Sequence, residues 1–266
     1  MRWTRPLAVT ALCTALAACT TSPTGRSQLL LVSNDQLNQM GAQAFDQYQQ
    51  ELPAADAKSQ RYVQCVAQAI IAELPGEQRQ QNWEVEVFKA DEPNAFALPG
   101  GYMGVNSGML DVAANQSQLA TVLGHEVGHV LAHHANERAS TESATQLGLS
   151  VLSSSAGMES AGGEQLMGLL GMGAQYGILL PFSRKHESEA DMIGLRLMAK
   201  AGFDPRESIS LWENMQRAGG NAPPEWMSTH PSEGQRINGL KAGMQQALDD
   251  YQRAHTAGQT PSCPRP

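Results

Sequence analysis

His125-Glu126-Val127-Gly128-His129 is the stretch of this chain best equipped to do chemistry. On a helix, positions i and i+4 share a face, so both imidazoles can grip one ion while Glu126 stands beside it. Zinc takes neutral imidazole well, and a catalytic zinc site uses three protein ligands plus a water. The pKa of such a water falls towards about 7, so an adjacent carboxylate can take its proton. Leu119, Val122, Leu123, Val127 and Val130 make the surroundings apolar, and a histidine there needs a polar partner or a metal.

A third ligand must come from elsewhere. A metzincin would carry Gly at 132 and His at 135, but both are Ala, so that class is excluded. His133 and His134 lie too near in sequence to close on the same ion without distorting the helix. The better source is His186-Glu187-Ser188-Glu189-Ala190-Asp191. Glu187 and Asp191 are i and i+4 on a predicted helix, so both can face the site. Glu187 is expected to ligate zinc, one ion per chain, and Asp191 to accept the N–H of a ligand imidazole. Glu189 points elsewhere on that helix. His186 is the rival ligand, and an exposed acid at a helix start is the other reading of Glu187.

With those residues in hand, the chain resembles the gluzincins, and its surrounding words are similar to the HtpX and CAAX-prenyl-protease type of zinc metallopeptidase. Within that type it looks most like bacterial lipoproteins such as LoiP and BepA. Asn94-Ala95-Phe96-Ala97-Leu98-Pro99-Gly100-Gly101 matches the family's Asn-Ala-Phe-Ala segment. His134 with Glu137-Arg138, Thr229-His230-Pro231 with Arg236-Ile237, and Thr24-Gly25-Arg26 match further words. The resemblance implies an endopeptidase of minigluzincin-like zincin fold, with a small antiparallel sheet beside the zinc helix. Its substrates would be misfolded or unassembled proteins of the cell envelope. Glu126 would be the general base, and Asn94, Ala95, Phe96 and Ala97 a sheet edge that takes substrate as an added strand. His230 would help hold an oxyanion or occupy the open zinc position at rest, unless it is a helix-start histidine without contact to the ion. Arg236 reads as the partner of an acid. The other function open to this fold is a latent protease that acts mainly as a binding or assembly chaperone. No helical-repeat domain of the BepA kind is expected after residue 254.

The elements that must position these residues are mostly helical. Ser33 or Asn34 can cap a helix that Pro53 ends, and Ala54–Leu74 carries Tyr62, Val66, Ala69 and Ile70 at helical spacing. Residues 83–88 alternate with period two, and 96–98 and 102–105 are short strands flanking the Pro99-Gly100-Gly101 turn. Helices are expected at 116–138, 164–179, 185–201, 206–218 and 232–254. Few strands, all in the first half, make the class α+β with helix dominant. The Met- and Gly-rich stretch 145–182 reads as a lid or wall of the cleft, or as a plain core helix.

Arg2 and Arg5 precede an apolar run, Leu7–Ala18, of signal-peptide length, and Ala17-Ala18-Cys19 resembles a lipobox. The expected organisation is therefore a lipoprotein signal peptide at 1–18 and a lipidated Cys19 with a polar tether to 32. A single metallopeptidase domain follows over 33–254, then a polar tail over 255–266. With Thr20 after the cysteine, the resemblance points to the periplasmic face of an outer membrane, held through the lipid on Cys19. In that oxidising setting Cys65 and Cys263 form a disulfide or stay two free thiols. A net charge of −8 without a basic block argues against nucleic-acid partners, and 41% hydrophobic residues suit a folded domain.

Overall fold

The structure is a computed structural model, and it describes residues 19–155, 182–218, 225–230 and 235–266. Five strands and ten helices follow in chain order among these residues. They are β1 (Cys19–Thr21), β2 (Ser27–Leu29), α1 (Asn34–Glu51), α2 (Ala57–Ile71), α3 (Gly76–Gln80), β3 (Glu84–Phe88), β4 (Ala95–Leu98) and β5 (Tyr102–Asn106). Then come α4 (Ser107–Val112), α5 (Gln116–Leu131), α6 (His134–Ser155), α7 (Arg184–Lys200), α8 (Glu207–Ala218), α9 (Glu225–Thr229) and α10 (Gln235–Thr256). The helix-dominated α+β class is as expected. The predicted helix at 164–179 and most of the stretch read as lid or wall fall outside the described residues. Among the described residues no helix is long and apolar enough to cross a membrane.

Local chemistry sets the boundaries. Ser33 caps α1 in a reciprocal box with Gln36, and Asp56 caps α2 by accepting from Lys58 and Ser59 N–H. Asn115 does the same for α5, accepting from Ser117 and Gln118 N–H. The buried face of α2 (Tyr62, Val63, Val66, Ile70) packs with Leu119, Val122, Leu123 and Val127 of α5 in the main core. Each such side chain contributes about 1.5–3 kcal/mol by leaving water. A second, aromatic cluster joins Phe45 and Phe88 to Tyr48, Phe96 and Tyr102 under the sheet.

That sheet is small, as expected, but mixed: its order is β3-β5-β4, with β3 parallel to β5 and β4 antiparallel to it. Gly100 and Gly101 turn β4 into β5 at φ of 95° and 88°, a region where side chains are strained. Among the described residues β4 pairs on one side only, which leaves it as an edge.

Two further departures, and the position of the tail, matter for the site. Residues 19–29, read as tether, form the β1–β2 hairpin and pack against the start of α6, and Gln28 donates to Ala132 O at the end of α5 and to Glu137 of α6. The helix expected over 116–138 is two helices, because His133 adopts a left-handed backbone (φ 52°) that interrupts the helical run. The polar tail is docked: Cys263 is bonded to Cys65 across 198 residues, and Arg265 reaches the carbonyls of Leu110 and Ala114.

Helices α5 and α7 cross at glycines. A Cβ on Gly194 would fall 2.7 Å from Gly124 C, and one on Gly128 would fall 2.8 Å from Ala190 O. The backbones are therefore in contact, and this proximity sets His125 and His129 opposite Glu187 and Asp191. Gly194→Ala should push the helices apart, at about 1–3 kcal/mol as for other overpacked cores. Urea unfolding of the variant reads the loss.

Candidate metal centre and active site

The three expected ligands converge. His125 Nε2 and His129 Nε2 are 3.0 Å apart, and each lies 3.4 Å from an oxygen of Glu187. One donor atom each from His125, His129, Glu187 and His230 falls within a sphere where all lie within 4.8 Å of one another, and all four residues are buried. Ligand atoms set tetrahedrally around zinc at about 2.0–2.2 Å lie about 3.3–3.6 Å from one another. The donor types, their spacing and their burial therefore fit that ion. Both ring nitrogens of His230 are buried without a hydrogen-bond partner, as befits a nitrogen aimed at a cation rather than at protein.

Charge around Glu187, His129 and His230 agrees, whereas His125, which burial would lower, is raised to about 9 by Asp191 and Glu187 beside it. Burial alone would raise Glu187, yet His125 and His129 beside it hold its carboxyl well below the usual range. Burial depresses His129 and His230, so both stay neutral and can offer lone pairs.

Asp191 stands where expected, 3.0 Å from His125 Nδ1. Arg236 of α10 fixes both acids: its Nε donates to Asp191 Oδ2 at 2.6 Å, its Nη2 to Asp191 Oδ1, and its Nη1 lies 2.8 Å from Glu187 Oε2. Its guanidinium stacks on Trp212 at 4.0 Å.

Glu126 lies on the cluster's flank, 3.6 Å from His230 Nε2, and burial pushes its carboxyl up to about 7. Trp226 donates its indole N–H to Glu126 Oε1 at 2.7 Å. The sequence marks Trp226 only by its place four residues before His230. His186, the rival ligand, is elsewhere, stacked on His134 and 3.3 Å from Glu137. Glu189 does point away from the ion, but it is buried on His134. Ala95 to Ala97 lie on edge strand β4, which packs against α5, and Asn94 immediately precedes it.

The family model of peptidase family M48 matches residues 57–243, which is more than half of the chain. The chain belongs to peptidase family M48. The zinc dependence of M48 metallopeptidases agrees with the donor set described above. Three relatives illustrate the match. The mitochondrial metalloendopeptidase OMA1 of Schizosaccharomyces pombe is 40% identical over 62% of this chain and 48% of its own length. The OMA1 metalloendopeptidase of Homo sapiens, also mitochondrial, is 34% identical over 85% of this chain and 45% of its own. The β-barrel assembly-enhancing protease of Escherichia coli is 31% identical over 63% of this chain and 37% of its own. This M48 chain thus spans about half the length of its relatives or less.

These matches correct one expectation. The relatives that cover most of the chain are mitochondrial metalloendopeptidases, which overturns the placement at the periplasmic face of an outer membrane through a lipidated Cys19. A short apolar run ending in small residues and a cysteine is too generic to fix a compartment. The backbone of Cys19 instead opens β1, paired with Leu29.

Proposed function

We propose that this M48 chain is a zinc-dependent endopeptidase that cleaves unfolded or misassembled proteins presented as extended strands. One observation supports this reading above the others: three converging zinc donors and an adjacent carboxylate, Glu126, lie in and around α5 against the one-sided strand β4. His125, His129 and Glu187 would hold the ion, and Asp191 with Arg236 would keep His125 and Glu187 in place. Zinc, when bound, supplies acidity to a water and draws charge from the carbonyl to be cleaved. The remaining work belongs to side chains. The free edge of β4 at Ala95–Ala97, with Asn94 just before it, pairs with substrate backbone, so that affinity depends little on sequence. Glu126 takes the proton of the attacking water and passes it to the leaving amine nitrogen. His230 donates towards the oxyanion that develops.

A strand-binding edge suits segments that have failed to find their own sheet partners. Two relatives are named for enhancing β-barrel assembly, and that name accords with substrates of this kind.

The test is cleavage of an unfolded protein and of the same protein folded, before and after metal removal. Chelation should stop cleavage of the unfolded form, and one equivalent of zinc should restore it. Persistent cleavage in chelator would refute the reading.

Trp226 and His230 both lie on Glu126, and this favours a second state in which the chain rests latent and acts as a binding protein. His230→Ala should then raise the basal rate of cleavage by several-fold, read with a fluorogenic peptide. A fall instead would mark His230 as needed for the reaction.

A further inference from the structure

The Thr24-Gly25-Arg26 turn and Glu189 take no part in that reaction, yet both connect to it. His129 turns Nε2 towards His125 and Glu187. To offer a lone pair there as a neutral ring, it must carry its proton on Nδ1. That Nδ1 lies 2.9 Å from Nδ1 of His134, so His134 must accept at Nδ1 and keep its own proton on Nε2. His134 Nε2 lies 3.1 Å from Glu189 Oε2, an acceptor without a proton to give. A single protonation pattern therefore satisfies every contact from His129 outwards, and Glu189 is its end point.

Glu189 is itself held from the other side. The hydroxyls of Ser22 and Thr24 donate to its Oε1, and Arg26 Nε donates to Oε2 at 2.9 Å. Arg26 also pairs with Glu137 near the start of α6. Gly25, at φ 91°, makes the tight turn that lets Ser22, Thr24 and Arg26 converge. His134 and Glu189 are buried, so these hydrogen bonds have little competition from water.

We propose that Glu189 is a positioning residue for the zinc ligand His129, acting through His134, and that the Ser22–Arg26 turn holds Glu189 in place. The inference rests on the reading of His129 as a ligand. His125 is oriented by a carboxylate directly, whereas His129 is oriented by a carboxylate one ring further out. Removing such an outer partner typically weakens metal binding by about 10–100-fold.

The test uses the full zinc-loaded chain with ¹⁵N-labelled histidine, in which long-range ¹H–¹⁵N correlations read the tautomer of each ring. His134 should be protonated on Nε2 and His129 on Nδ1. Zinc affinity, by competition with a chelator, should fall about tenfold or more in Glu189→Ala. Glu189→Gln, whose side-chain oxygen can still accept from His134, should recover most of it. His134 protonated on Nδ1 overturns the proposal in the unmutated chain, where no variant has to fold. So does Glu189→Ala binding zinc as tightly as wild type, or Glu189→Gln losing as much as Glu189→Ala. Failure of the unmutated chain to bind zinc overturns the ligand reading and this relay together, whereas a wrong tautomer in zinc-loaded chain overturns the relay alone.

Discussion

Glu126→Gln should bind zinc as well as the wild type and cleave peptide bonds about 10²–10⁴-fold more slowly, the usual worth of a positioned general base. The amide keeps the size of the carboxylate and can still accept from the indole of Trp226, whose N–H lies 2.7 Å from Glu126 Oε1. It cannot take a proton from water. Nothing in the donor set changes, because His125, His129 and Glu187 meet one another without help from Glu126. Zinc content and turnover measured on one preparation decide the matter. Slow turnover with a full complement of zinc separates base from ligand. Turnover within about threefold of the wild type, far short of the usual loss, would remove Glu126 from the reaction, and loss of zinc would make it a ligand or a structural group.

The largest effect on stability is expected at Arg236. Its side chain is 5% exposed and touches Asp191 and Glu187 at once. Arg236→Met keeps much of the stem's bulk but loses the guanidinium's stacking on Trp212 and leaves two carboxylates in the interior without the cation they share. Breaking a buried ion pair from one side costs about 3–5 kcal/mol, most of it the penalty of the charge left behind. Denaturant unfolding of the metal-free chain should show that loss. Zinc adds positive charge at the same acids, so the difference between variant and wild type should shrink when both are loaded. A loss below about 1 kcal/mol without metal would mean that water reaches these acids and that Arg236 acts as an ordinary surface partner.

Much of the centre was legible from spacing alone. His125 and His129 at i and i+4, and Glu187 and Asp191 at the same interval, are two pairs whose faces a regular helix fixes, and both pairs meet as expected. Capping residues such as Ser33 marked α1 at its start for the same local reason. What escaped depends on contacts between distant segments. Glu189, two positions from Glu187, had to point away from the ion, but its partners Ser22, Thr24, Arg26 and His134 are set by tertiary packing. His134 reaches His129 because the chain turns left-handed at His133, and a histidine there carries none of the marking that glycine would give. The parallel pairing of β3 with β5 was equally silent, since alternation reports which face is buried and not which strand lies alongside. The compartment was misjudged because targeting segments are read by receptors from generic features rather than from a unique chemical pattern.

The bond between Cys65 and Cys263 has a further meaning under the proposed endopeptidase activity. It joins α2 to a tail 198 residues away, so that the zinc helix and Glu187 and Asp191 of α7 lie inside one covalent ring. A single nick within that ring opens it without releasing a piece. A molecule clipped by its neighbour would keep its full mass on a gel run without reductant and fall into fragments once thiol is added. Self-cleavage would therefore go unseen in any assay that leaves this bridge intact, and a nicked population could pass for the whole enzyme.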